Sequence, residues 1–233
     1  MVYTGAGKGA SPTTLSLAIC LFDQVTALDY QGPLELLGFL DPKNAKPDVP
    51  TPPYLLDITY LARSLEPVTA TAGPRALVDR TYDEVADGEQ FDLILVPGGL
   101  GARPERVPPS LLEFLKRQAP GATHILSVCT GSWILAGAGL LRGKKATTNK
   151  SVFKSVMENT REQEITWIPK ARFVVNDDKK IWTSSGVTAG MDMANAFLEY
   201  LVGKEAALRI RGIVELSAKE EGDDEFAEYY HLL

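Results

Sequence analysis

The chain has few of the residues that build metal sites and disulfide frameworks. Its 233 residues include two cysteines, Cys20 and Cys129, and two histidines, His124 and His231. There is no C-x-x-C or H-E-x-x-H spacing and no Walker or dinucleotide fingerprint, so we expect no metal and no cofactor. Because disulfides are rare in cytosolic proteins, we interpret both cysteines as free thiols.

Positive charge and long apolar runs are also scarce. Lys plus Arg number 24 against 30 Asp plus Glu, which gives a net charge of −6, and no basic cluster is longer than LRGKK at 141–145. Nucleic-acid binding is therefore disfavoured. The apolar stretches fall short of the ~20 residues that cross a bilayer, and the N-terminus lacks the apolar core of a signal peptide. We expect a cytoplasmic protein that does not bind membranes.

The composition is that of a globular domain, with 45% hydrophobic and 23% charged residues. A chain of this length buries well over half of its unfolded surface in one core. We expect residues 1–14 to be a flexible N-terminal segment and residues 15–233 to form a single domain. This domain has a proline-rich surface insertion at 41–53 and ends in an acidic tail.

Short, almost wholly apolar runs alternate with helical patterns along the chain. Strands are predicted at 15–21, 54–62, 93–96, 123–128, 173–175 and 181–183, with a hairpin or edge strand near 67–74, and helices at 27–40, 108–119, 130–141, 187–202 and 204–217. This order predicts an α/β fold, a flavodoxin-like open, mostly parallel sheet with helices on both faces. Ligands in such folds bind beyond the carboxyl ends of the strands, so we expect the site after Val96 and Val128.

Cys129 lies where a buried strand runs directly into a helix, within Ser127-Val128-Cys129-Thr130-Gly131. Small residues two before and two after the cysteine give the layout of a nucleophile elbow, in which a strained turn presents the side chain at the sheet edge. A helix N-terminus favours a thiolate, so we expect Cys129 to be nucleophilic at neutral pH. The alternative is an inert core cysteine, which is the role we expect for Cys20.

Backbone donors for this thiolate chemistry are expected on the turn after the preceding strand. The N–H groups of Gly98, Gly99 and Leu100, together with that of Thr130, are placed to bind charge that develops on a substrate if the two strands are neighbours. An ordinary strand-to-helix turn is the alternative for Pro97-Gly98-Gly99.

A proton-transfer partner for Cys129 is expected to be a carboxylate. His124 lies at the far end of the same strand and His231 lies in the tail, so neither is a natural partner. Asp29 follows the first strand and reaches the same sheet edge, although it also suits a helix N-cap. Glu35 is expected to face solvent.

These residues resemble the ThiJ/PfpI superfamily, the group around human DJ-one within the class I glutamine amidotransferase-like fold. LDYQGPLELL, LVPGGLGAR, SVCTGSWILAGAGLLRGKKATT and SSGVTAGMDMA look like its isonitrile hydratase branch. The resemblance implies a homodimeric, cofactor-free hydro-lyase that acts on a small electrophile. By this resemblance, the nucleophile is Cys129 and its neighbouring threonine is Thr130. Asp29 transfers protons while an isonitrile is converted to an N-substituted formamide.

The sequence also departs from this family pattern. Thr130 replaces the histidine that follows the cysteine in peptidase-like and amidase-like members, which disfavours those activities. Asn149 stands where the bacterial hydratases carry histidine after Ala-Thr-Thr. Two alternatives to an isonitrile hydratase therefore stay open: a glyoxalase-like or deglycase-like enzyme on methylglyoxal, and a non-enzymatic redox sensor in which Cys129 is oxidised to the sulfinic acid.

Overall fold

The structure, a computed structural model of the chain, describes residues 11–44, 52–176 and 178–233. The strands in these ranges are β1 (Thr13–Cys20), β2 (Tyr54–Ala62), β3 (Arg80–Thr81), β4 (Leu93–Val96), β5 (His124–Ser127), β6 (Lys145–Ala146), β7 (Thr166–Trp167), β8 (Phe173–Val175) and β9 (Ile181–Ser184). The α-helices are α1 (Ala27–Leu37), α2 (Pro109–Gln118), α3 (Gly131–Gly137), α4 (Phe153–Asn159), α5 (Ala189–Val202), α6 (Lys204–Ile213) and α7 (Phe226–Tyr229).

Seven strands form one sheet in the order β3-β2-β1-β4-β5-β9-β8, and β6 pairs with β7 separately. Neighbouring strands of the large sheet are parallel except β8 and β9, which are antiparallel. Every residue of β4 and β5 is buried, as expected for central strands covered on both faces. The structure confirms the predicted α/β, flavodoxin-like, mostly parallel fold.

The crossovers place helices on both faces of this sheet. From β1 the chain passes through α1 to β2 in one direction, and from β4 it passes through α2 to β5 in the other. Because parallel crossovers are right-handed, the two helices lie on opposite faces. Accordingly α1 packs against α5, and α2 packs against α3. None of the helices in the described ranges combines the length and apolar composition needed to span a membrane.

Several predicted boundaries differ from the structure. Thr13 and Thr14, expected in the flexible segment, begin β1; residues 1–10 lie outside the described residues. Of the expected insertion, 42–44 form an exposed turn and 45–51 lie outside the described residues. The short elements β3, β6, β7, α4 and α7 were not predicted.

Two further elements differ from the prediction. The segment near 67–74 forms no named strand and is not the sheet edge, which is β3; it makes a minimal hairpin in which Val68 pairs antiparallel with Ala76, and its Ala70 forms a parallel bridge with Val25. The helix after Cys129 ends at Gly137, because Gly139 adopts a positive φ of 78° that closes the helix.

The topology brings one edge of the sheet together as a site. Neighbouring strands β1 and β4 lead their chains away in opposite directions, which leaves a crevice beyond their carboxyl ends. Asp29 follows β1, Gly98 follows β4 and Cys129 follows β5, so the three predicted site segments meet there.

Candidate active site

Cys129 occupies the tight turn that the sequence predicts. Its φ is 59°, in the left-handed region that few residues other than glycine adopt. Its N–H donates to the carbonyls of Ser184 and Ser185 at 3.2 and 3.0 Å, and its carbonyl accepts hydroxyl protons from Ser132 and Thr148, each at 3.1 Å. These four contacts hold the strained backbone in place.

Gly131 allows this turn to pack against β4. A Cβ atom at this position would lie 2.1 Å from the carbonyl oxygen of Val96, a distance that no side chain tolerates. The small residue two positions after the cysteine is therefore a steric requirement of the elbow.

Asp29 lies fully buried beside the thiol. It belongs to the first turn of α1, whose N-cap is Thr26, so the N-cap role considered for Asp29 is wrong. Its Oδ2 accepts the Gly98 N–H at 2.9 Å, while Oδ1 is buried without a well-formed hydrogen bond to the described residues. Burial raises the pKa of the Asp29 carboxyl to about 7, although the Gly98 N–H and the Cys129 thiol partly offset the rise.

The surroundings of the sulfur favour the protonated thiol, whereas the sequence favours the thiolate. Burial raises the pKa of Cys129 to about 12, and the Asp29 charge adds to the rise. The Asn149 amide and the N–H and hydroxyl of Thr130 lower this pKa only in part. At the N-terminal end of the short helix α3, the cost of desolvating a thiolate therefore exceeds the stabilisation that the free N–H groups of the helix give it.

Asn149 donates a side-chain hydrogen bond directly to the sulfur. Its Nδ2 donates to Cys129 Sγ at 3.2 Å, and its Oδ1 accepts from the N–H and the hydroxyl of Ser151 at 2.9 and 2.6 Å. Gly186 leaves room for this amide, because a Cβ there would lie 2.7 Å from Nδ2. The sequence marked Asn149 only as a departure from a family histidine and gave no signal that it contacts the thiol.

Two of the predicted backbone donors are already engaged. The Gly98 N–H binds Asp29, and the Gly99 N–H donates to Thr130 Oγ1 at 3.0 Å. The expectation that both are available to a substrate is therefore wrong for this state of the site. The Thr130 hydroxyl lies 3.2 Å from the Gly99 carbonyl and carries a single proton, which it donates either there or to the sulfur.

A pocket of about 300 Å³ opens over the sulfur. The other lining residues come from the segments that follow β1, β2, β4, β5, β6 and β9: they are Thr26, Thr71, Gly99, Leu100, Arg103, Thr130, Trp133, Asn149, Ser151, Val152 and Val187. Leu100, one of the predicted substrate-binding residues, lies in this wall. A small organic molecule fits the volume, with the thiol as the only sulfur nucleophile in the lining.

The other candidate groups stay outside the site. His124 is buried at the opposite end of β5, where its Nδ1 lies 2.7 Å from the Lys179 carbonyl. Cys20 is fully buried in β1, as expected for a core cysteine, and Glu35 is exposed. Within the part of the chain that the structure describes, no group of three or more His, Cys, Asp or Glu side chains is arranged to hold a metal ion.

A buried lysine follows Asn149 and was not predicted. Lys150 Nζ donates to Thr147 Oγ1 at 2.8 Å and to Ser185 Oγ at 3.1 Å, and it pairs with Asp224 of the acidic tail at 3.5 Å. Burial lowers its pKa to about 8, although Asp224 opposes the change. The tail is thus tied through Lys150 to the loop that carries Asn149.

Comparison with known proteins gives the family of this chain. The profile of the DJ-1/PfpI family matches residues 16–200, which include the elbow, Asp29 and Asn149. The chain belongs to the DJ-1/PfpI family. A solved structure of a ThiJ/PfpI family protein from Pseudomonas syringae superimposes with a TM-score of 0.73 at 26% identity and covers 89% of this chain and 77% of that one.

Two relatives in the family are enzymes by name. The isonitrile hydratase of Pseudomonas putida is 34% identical over 193 residues, which span 83% of this chain and 75% of the relative. A deglycase of Pyrococcus horikoshii is 28% identical over 124 residues, 53% of this chain and 69% of that protein.

Proposed function

We propose that this protein is a cofactor-free isonitrile hydratase in which Cys129 is the nucleophile and Asp29 transfers protons. The observation that carries the proposal is the pairing of a thiol on a strained elbow with a buried carboxyl whose pKa is raised to about 7. Such a carboxyl is half protonated at neutral pH, so it can both accept and donate a proton there. The similarity to the Pseudomonas putida hydratase supports this choice of substrate.

The first step is the addition of the thiol to the isonitrile carbon. Because the pKa of the thiol is raised to about 12, its proton must leave as the sulfur attacks, and the Asp29 carboxylate accepts it. A C–S bond forms, and Asp29 returns the proton to the same carbon. The product is a thioimidate on Cys129, and the carboxylate is regenerated.

Hydrolysis of the thioimidate completes the reaction. Water attacks the thioimidate carbon and gives a proton to Asp29, which passes it to the imine nitrogen. The C–S bond then breaks as the hydroxyl gives its proton to Asp29 and becomes the carbonyl of the formamide, and Asp29 delivers that proton to the departing sulfur. The sum is one water added to one isonitrile. The Asn149 amide stabilises negative charge on the sulfur when it attacks and when it leaves.

The test is turnover of an aryl isonitrile in D₂O, followed by proton NMR. Wild type and Cys20→Ala should both give the formamide with deuterium at the formyl carbon, because the proton delivered by Asp29 exchanges with solvent. Cys129→Ala should give none. If wild type leaves the isonitrile unchanged but converts methylglyoxal to lactate, the deglycase-like alternative replaces this proposal.

We also propose that the enzyme works in the cytoplasm and that it forms a homodimer; the family resemblance implies the dimer. Size-exclusion chromatography with light scattering tests the dimer: a mass near twice 25.3 kDa is expected, and a monomer at micromolar concentration contradicts it.

A further inference from the structure

The pocket over Cys129 contains a single charged side chain. Its walls near the sulfur are apolar or carry neutral hydroxyl and amide groups, and only Arg103 among the lining residues bears a charge. The pocket therefore combines a nucleophile, an apolar interior and one cation.

The guanidinium of Arg103 is available for binding. It is exposed, and across the described ranges 11–44, 52–176 and 178–233 it forms no hydrogen bond or ion pair with another side chain or carbonyl. By contrast, Arg106 on the same loop donates to Gln24 Oε1 at 2.7 Å.

The loop that carries Arg103 has a fixed backbone. The carbonyl of Arg103 accepts the N–H groups of Arg106 and Val107 at 2.8 and 3.1 Å. Gly101 packs against the preceding loop so closely that a Cβ would lie 2.0 Å from the Asp23 carbonyl. The position of the Arg103 backbone relative to the sulfur is therefore set by the fold, and only its side chain needs to be ordered by a ligand.

We propose that Arg103 binds a carboxylate on the substrate, so that the natural substrates are small electrophiles with an anionic group remote from the reacting carbon. A guanidinium presents paired N–H donors that match the two oxygens of a carboxylate, and the carboxylate would be held at the mouth of the pocket while the reacting carbon lies against Cys129. The isonitrile identity of that electrophile rests on the proposed function, whereas the preference for an anion does not.

The test that does not depend on turnover is the rate of Cys129 alkylation, measured by peptide mass spectrometry. The reagents are 3-maleimidopropionate and N-propylmaleimide, which are similar in size and differ in one carboxylate. Arg103→Gln removes an exposed, charged hydrogen bond to the carboxylate. It should therefore slow the alkylation of Cys129 by the anionic reagent about tenfold, and alkylation by the neutral reagent by less than about twofold. Arg103→Lys should retain part of the preference, and added salt should reduce it.

Arg106→Gln is the matched control, because it removes the same charge from the same loop but does not line the pocket. It should leave the ratio of the two rates unchanged. Equal slowing of both reagents in Arg103→Gln, or an equal effect of Arg106→Gln on the anionic reagent, overturns the proposal.

Turnover provides the second measurement. The ratio of kcat/KM for 4-isocyanobenzoate to that for 4-isocyanotoluene should fall about tenfold in Arg103→Gln, mainly through KM. If neither isonitrile is a substrate but the alkylation preference depends on Arg103, the anion site stands and the proposed reaction fails. If both isonitriles are turned over and neither ratio depends on Arg103, the reaction stands and the anion site fails.

Discussion

Asp29→Asn should stabilise the folded protein at neutral and alkaline pH while it abolishes turnover. Burial raises the pKa of this carboxyl from 3.8 to about 7. At about 1.4 kcal/mol for each pKa unit, a difference of roughly 3 corresponds to about 4 kcal/mol of unfolding free energy. The asparagine oxygen still accepts the Gly98 N–H, and the amide carries no charge to desolvate.

The pH window follows from the direction of the pKa change. The folded protein holds the Asp29 proton more tightly than the unfolded chain, so this contribution to stability is fully present below about pH 4. It is lost as the pH rises, and the loss is complete above about pH 7. Between pH 5 and pH 8 the advantage of Asp29→Asn over wild type should therefore grow by about 3 kcal/mol.

Urea unfolding at fixed pH values from 4 to 9 measures this difference. Subtracting wild type from the variant at each pH cancels the groups that both proteins share. Glu35→Gln, an exposed substitution on the same helix α1, reports the effect of removing a carboxyl outside the site. An Asp29→Asn difference that stays constant from pH 5 to pH 8 would refute the raised pKa, and with it the half-protonated carboxyl on which the proposed mechanism depends.

Three further substitutions test the architecture of the site. Cys129→Ala should abolish turnover and change the free energy of unfolding by less than about 1 kcal/mol, since it removes one sulfur beside a cavity; a larger loss by urea unfolding would favour the core role. Gly98→Ala places a Cβ 2.5 Å from the Thr130 nitrogen, so it should cost about 1–3 kcal/mol and lower kcat; unaltered kcat would contradict this. Lys150→Met leaves the buried Asp224 carboxylate without its cation and should lower the free energy of unfolding by about 3–5 kcal/mol. The double variant Lys150→Met/Asp224→Leu should recover most of this loss, and no recovery would argue against the ion pair.

The strands whose ends carry the site residues could be predicted, because their apolar runs are long enough to be recognised in the sequence. The predicted bounds of β2 and β4 agree with the structure, since each run is flanked by polar or turn residues. The two-residue strands β3, β6 and β7 are too short to show any periodicity. They form because neighbouring segments are brought against them by the rest of the fold.

The site was predictable where it depends on the local chain and not where it depends on packing. The small residues around Cys129 indicate a tight turn, and the position of Asp29 after β1 indicates the shared sheet edge. The pKa values do not follow from such patterns, because desolvation depends on every element that covers the pair. The contact of Asn149 with the sulfur likewise arises from packing against Gly186 and from the contacts of Lys150 with Ser185 and Asp224, three residues that are far from Asn149 in sequence.

The order of the two pKa values explains how the site can select its reaction. The pKa of the Asp29 carboxyl is about 7 and that of the Cys129 thiol is about 12, so the proton stays on the sulfur in the resting site. The sulfur becomes strongly nucleophilic only when Asp29 removes that proton. Because peroxide oxidises the thiolate form of a cysteine, the raised pKa of Cys129 is expected to slow its oxidation. An isonitrile carbon accepts both the sulfur and the proton that Asp29 has just taken. The arrangement therefore favours an electrophile whose reacting atom gains a proton as the C–S bond forms, and this favours the hydratase over the sensor.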